Sequence, residues 1–206
     1  MSMGGSQMIT KIANKLTIFL CNREIISRED IPIYIYGYEA ILASMVNFIL
    51  IVTLGIIFHQ GWQSIVFFVV FALTRVHSGG YHAQSYLMCN IVLAFVYIIT
   101  IMLIEAIIFT SADYTIVVFV LFYLSVIFKF APVPNSKKQI SIAEGVKFRE
   151  KILLLSAIWT ILIIFLSFVY FRVALNVAIT LFVVAVLIVI QHIICREEGF
   201  YNEEST

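Results

Sequence analysis

A thiol and two imidazoles crowd a short polar stretch, Arg75-Val-His-Ser-Gly-Gly-Tyr-His-Ala-Gln-Ser-Tyr-Leu-Met-Cys89, that interrupts long apolar runs. Cysteine with histidine is the minimal equipment for nucleophilic catalysis: the imidazole takes the proton and the thiolate attacks an electrophilic carbonyl. Cys89 opens a helix-length apolar run, which predicts a place in an early turn of that helix, with Gln84 or Ser85 near its N-cap. Unsatisfied amides at a helix start favour the anionic form of a thiol, and a neighbouring imidazolium adds to the effect.

His82 precedes Cys89 by seven residues. On an unbroken helix the two share a face but stand about 10.5 Å apart along the axis, beyond hydrogen-bond reach. A dyad therefore demands a bend, and Gly79-Gly80 supplies a hinge just upstream. The blander readings are a small packing thiol in a membrane helix and an interfacial histidine. A metal site built from His77, His82 and Cys89 lacks a fourth ligand and any H-E-x-x-H spacing, so no metal or other cofactor is expected.

The elements that must position these groups are membrane helices. Of 206 residues, 62% are hydrophobic and 12% charged, and the mean hydropathy is +1.05, which excludes a soluble globular domain. Runs long enough to approach a hydrocarbon core of roughly 30 Å are Tyr36 to Phe58, Trp62 to Thr74, Leu87 to Phe109, Tyr114 to Phe128, Ile152 to Phe171 and Val173 to Ile194. The predicted fold is an all-α, single-domain bundle of six transmembrane helices over residues 31–195. Residues 1–30 precede it as an amphipathic surface segment, with Ile9, Ile12, Ala13, Leu16, Ile18, Phe19 and Leu20 at its apolar boundary, and 196–206 form an acidic tail.

Charge sets the orientation. With both termini inside, twelve of the 13 Lys and Arg residues face the cytoplasm and only Arg172 lies outside. The net charge of +1 is thus segregated by topology and forms no basic face for nucleic acid. The outer connections are short, which predicts that consecutive helices pack as antiparallel neighbours. Cys21, Cys89 and Cys195 form no C-x-x-C pair and fall near the inner side, where a reducing cytosol keeps thiols free.

The second run spans only 13 residues, about 20 Å of helix. Either the helix continues through Arg75 and His77, or the polar stretch dips into the bilayer around a cavity; both sink it into a pocket open to the cytosol. Glu39, near the inner end of the first run, is the nearest carboxylate by depth, placed to orient His82 or to neutralise Arg75. Glu105, near the outer end of the third, is placed to reach the interface or to pair with an outer partner, and Gln191 and His192 read as interfacial. Small residues Gly37, Ala40, Ala43 and Ser44 on the first run permit a close helix contact.

Taken together, Arg75-x-His77-x-Gly-Gly80-x-His82-Ala-x-Ser85-x-x-x-Cys89, followed after another span by Phe130-Ala-Pro132-Val-Pro-Asn-Ser-Lys137-Lys138, resembles the accessory gene regulator B family. The family comprises membrane peptidases of Gram-positive bacteria that process autoinducing-peptide precursors in quorum sensing. The resemblance covers nearly the whole chain. It implies a cell-membrane cysteine endopeptidase with His82 and Cys89 as the catalytic pair and the site facing the cytoplasm. Lys137 and Lys138 take the position of a basic substrate-binding cluster, a pair where some members carry a longer run. Arg75, His77 and Gly80 match shared motif positions in support roles, and Gln84, Ser85 and the amides of the third span are candidate oxyanion donors. The implied partners are a short propeptide with an amphipathic leader and an acidic tail, membrane lipids and a second copy of the chain. The implied product is a thiolactone or lactone macrocycle. The competing readings are a small six-span peptide transporter or exporter without peptidase chemistry, and a non-catalytic membrane scaffold.

Overall fold

A computed structural model describes residues 3–78, 86–110, 114–131 and 142–197. These are all-helical, in seven α-helices and one short 3-10 turn: α1 Met3–Asn22, the turn Arg28–Asp30, α2 Ile31–Ile57, α3 Gly61–Ser78, α4 Tyr86–Thr110, α5 Thr115–Phe130, α6 Ile142–Val169 and α7 Phe171–Glu197. Four segments are long and apolar enough to cross a membrane, Arg28–Ile57, Met88–Thr110, Val146–Val169 and Phe171–Ile194. Helix α5 is apolar but shorter, and α3 carries polar residues at both ends.

Local chemistry explains the boundaries. Pro32 sits in the first turn of α2, where its missing N–H costs no helical bond. Helix α2 stops where His59 turns left-handed at φ 56°, and the Gln60 amide then reaches back to the Gly55 carbonyl at 2.6 Å. Helix α5 stops at Ala131, extended at φ −87° and ψ 143° as a residue before proline must be. Helices α6 and α7 are separated by Tyr170 alone, whose amide closes α6 on Leu166 and whose carbonyl accepts from Ala174 in α7.

Helix α7 is the centre of the bundle, packing on α3, α4, α5 and α6. In its membrane-length window 61% of residues are buried, against 11% for the segment containing α2. The difference follows from composition: a helix apolar on every side can be enclosed, and Ala174, Ala178 and Ala185, all fully buried, let neighbours approach its backbone. Helix α2 lies outside, against α1, α3 and α4. Its close crossing with α3 depends on Gly55, where an added Cβ would stand 2.4 Å from Ser64 Oγ and 2.5 Å from Ser64 Cβ.

Of the two continuations open to the second apolar run, the structure shows the first: α3 runs as helix through Arg75 and His77 to Ser78, because backbone amides in an apolar surround are satisfied most simply by extending the helix. One expectation needs correction. The short connection between α4 and α5 does not make them packed neighbours; α7 packs on both, while α4 and α5 make little contact with each other among the described residues. Gln191 is buried, and the His192 ring packs against Phe130 at 4.6 Å.

Helix α1 packs on α2 and α4 through its small face, with Ala13 and Thr17 fully buried. Its larger apolar residues Ile12, Leu16 and Phe19 stay exposed, as on a helix with one face toward protein and another toward lipid.

Candidate active site

The chemistry-bearing residues converge where α3 ends and α4 begins. Cys89 is the fourth residue of α4, in the turn where backbone N–H groups lack intrahelical acceptors, and its free thiol is half-buried. This is the early-turn placement that the start of the apolar run predicts.

Arg75 occupies the last turn of α3. Its guanidinium carbon lies 5.4 Å from the centroid of the Phe71 ring, four residues earlier on the same helix. From this aromatic shelf the cation acts electrostatically on Cys89, the two groups attracting each other when the thiol is ionised. One turn before Ser78, the fully buried Thr74 accepts a 3.1 Å hydrogen bond from Trp159 Nε1, tying α3 to α6 directly beside Arg75. Neither Phe71 nor Trp159 stood out in the sequence, where they read as two more aromatics among 15%. The four-residue spacing from Phe71 to Arg75 is the signal that would have found the shelf.

His77 is tied back onto its own helix, its Nδ1–H donating to the Leu73 carbonyl at 2.9 Å, which leaves Nε2 as the acceptor nitrogen. No described contact joins it to Cys89. Glu39 accepts a 2.6 Å hydrogen bond from the Thr10 hydroxyl of α1. This bond ties α1 to α2.

At the C-terminal ends of α5 and α7, Lys129 Nζ lies 5.3 Å from the Phe130 ring centroid, and the same ring meets His192. This packing fixes where the chain leaves α5 toward Pro132. Gly80, His82, Gln84, Ser85, Lys137 and Lys138 lie outside the described residues.

The chain is similar to known proteins. The sequence model described as Accessory gene regulator B matches residues 9–194. An AgrB-like protein of Clostridium perfringens strain SM101 is 26% identical over 121 residues, and AgrB-like protein 2 of Clostridium perfringens strain 13 is 27% identical over 121 residues. In both, the match covers 56% of this chain and 56% of the relative, so the chain spans just over half the length of these two relatives. An AgrB-like protein of Clostridium beijerinckii is 25% identical over 183 residues, covering 88% of this chain and 90% of that protein. No solved structure matches. With nearly the full helical core inside the match, from within α1 to near the end of α7, the chain belongs to the accessory gene regulator B family.

Proposed function

We propose that this chain is a multi-pass membrane cysteine peptidase that cuts a propeptide at the cytoplasmic face and closes the released segment into a ring. The observation that carries the reading is the free, half-buried thiol of Cys89 in the first turn of α4, in a chain of the accessory gene regulator B family. A guanidinium at membrane depth is costly unless an anion or an aromatic face compensates it. Arg75 has such a face in the Phe71 ring.

In the topology we propose, α2 to α7 each cross once with both termini inside, which keeps twelve of 13 basic residues on the cytoplasmic side. Helices α3 and α5, of 18 and 16 residues, are about 27 and 24 Å long. Both fall short of a hydrocarbon core of roughly 30 Å, so the Arg75 and Cys89 end is recessed below the headgroups. The exposed apolar face of α1 lies in the interface plane, and the lightly buried α2, with Gly37, Ala40 and Ser44, is the face offered to a second copy.

The reaction follows from these placements. His82 takes the Cys89 proton; Sγ attacks a peptide carbonyl, the C–N bond breaks, and His82 returns the proton to the leaving amine. The acyl group is then a thioester on Cys89. A thiol or hydroxyl of the same peptide attacks that carbonyl, Cys89 leaves as thiolate, and a thiolactone or lactone results. Thioester exchange is nearly isoenergetic, so keeping water out of a recessed site decides between ring closure and hydrolysis. Gly80 provides the bend, and Gln84, Ser85 and the α4 amides serve the oxyanion. Lys137 and Lys138 hold the acidic tail of the substrate.

The test is processing of a precursor by membranes carrying single variants. Cys89→Ala and His82→Ala abolish cleavage while the protein still accumulates, and Cys21→Ala and Cys195→Ala cleave normally. Substantial cleavage by Cys89→Ala removes the proposal.

A further inference from the structure

At the far end of the same helices from the thiol, a second polar cluster is enclosed between α3, α4 and α7. Glu105 of α4 takes an ion pair from Arg172 at the start of α7 and a 3.0 Å hydrogen bond from Gln60 Nε2, before α3. Both charged side chains are close to half exposed, at 40% and 49%. Beneath them lies a narrow pocket lined by Gln60, Gln63, Tyr97, Thr100, Glu105 and Asn176, with no room for a water molecule. Asn176 and Thr100 are each 1% exposed. Asn176 Nδ2 donates to the Gln63 carbonyl at 2.9 Å, and Thr180 donates to the Asn176 carbonyl.

One group in this pocket is out of place in a permanently dry bundle. Tyr97 is 1% exposed, yet among the described residues its hydroxyl has no partner that meets hydrogen-bond geometry, and the Ser64 hydroxyl beside it donates to the Gly61 carbonyl. A buried hydroxyl left unsatisfied costs about 1–3 kcal/mol. The groups covering it are held by a half-exposed ion pair, a kind of contact worth only about 0–1 kcal/mol. A weak latch over an unsatisfied polar interior is what a cavity that opens to water requires. Further in, Phe67 packs at 5.0 Å on Tyr97 and at 5.5 Å on Phe71, and this aromatic plug separates the pocket from Arg75 and Cys89.

We propose that Glu105, Arg172 and Gln60 form a gate at the outer face, which opens to admit water to a polar vestibule lined by Tyr97, Thr100 and Asn176. The inference rests on the both-termini-inside orientation and is independent of the peptidase chemistry, because the gate stands 16 residues along α4 from Cys89, about 24 Å of helix.

The experiment uses the full chain in intact cells, in a Cys21→Ala, Cys89→Ala, Cys195→Ala background carrying Thr100→Cys as the reporter. Thr100 bonds only to Val96 of its own helix, so the replacement is mild. With the gate intact, an externally added, membrane-impermeant maleimide labels the introduced thiol slowly. Glu105→Gln or Arg172→Gln raises the labelling rate at least about tenfold, and the charge swap Glu105→Arg with Arg172→Glu brings it back toward the starting rate. A second reporter, Val126→Cys, buried in α5 away from the vestibule, stays slow throughout. No change at the Thr100→Cys thiol on removing either charge overturns the gate. An equal rise at the Val126→Cys thiol does so too, by showing general loosening. A rise seen only when reagent reaches the opposite side of the membrane overturns the orientation and the outward gate with it.

Discussion

The two ends of the α3 and α4 pair hold their charges in opposite ways. At one end Arg75 lies over Phe71 with a half-buried thiol as its electrostatic partner. At the other, Arg172 is matched by the Glu105 carboxylate, which also accepts from Gln60. A cation neutralised by a permanent anion holds helices together. One whose partner is ionisable and nucleophilic remains free to stabilise charge that appears during a reaction. The two arginines therefore differ in role because of what faces them, although each sits within one turn of a helix terminus.

Variants that separate the two ends should rank accordingly. The largest effect belongs to Cys89→Ala and His82→Ala, each expected to bring precursor cleavage to background. Because nucleophile and base act as a unit, the double variant should be no worse than either single one. Immunoblotting of membranes against a time course of product reports loss of chemistry separately from loss of protein.

Next comes Arg75→Gln, expected to slow cleavage at saturating precursor by about 10²–10³-fold, the scale for removing one preorganised group that stabilises developing charge. Arg75→Lys should recover part of this, keeping the charge but losing the planar stack on Phe71. Equal rates for Arg75→Gln and the unaltered chain would make the two ends alike and erase the contrast.

A smaller effect is expected from Lys137→Glu with Lys138→Glu. Reversing two charges that meet an acidic tail should lower processing roughly tenfold at limiting precursor and much less in excess, as for groups that steer encounter. A titration of precursor distinguishes this from a uniform loss of rate. The smallest effect is at the far end. Glu105→Gln should leave cleavage within about twofold of the unaltered chain and shift stability by roughly 0–1 kcal/mol, the range for a half-exposed ion pair, read by thermal unfolding in detergent.

Much of this contrast was legible in the residues themselves. Cys89 at the head of an apolar run could only be an early-turn thiol, and Glu105 near the end of its run was placed to reach the interface or to meet a partner there. Other features were hidden for physical reasons. Hydropathy marks the end of the apolar run at Thr74 and leaves two continuations open, because it does not register that the backbone keeps its hydrogen bonds by running on as helix to Ser78. Helices α4 and α7 both read as evenly apolar, so nothing in their pattern ranks them; the fully buried Ala174, Ala178 and Ala185 allow α7 to be the one surrounded. A short loop from α4 to α5 constrains only where two helix ends lie, and α5 packs on α7 instead. The Thr10 to Glu39 bond joins residues 29 positions apart and has no periodic signature.

The most direct test of the central claim is capture of the covalent intermediate. The purified full-length protein, in lipid, is mixed with a precursor whose ring-closing cysteine or serine is replaced by alanine, so that the thioester cannot be resolved by cyclisation. Mass spectrometry is then read on the peptide containing Cys89. The account predicts a hydroxylamine-sensitive adduct on Cys89 equal in mass to the acyl part of the precursor, formed fast enough to precede product and strongly reduced in Arg75→Gln. Continued cleavage with Cys89 unmodified throughout, or an adduct on another residue, would contradict it.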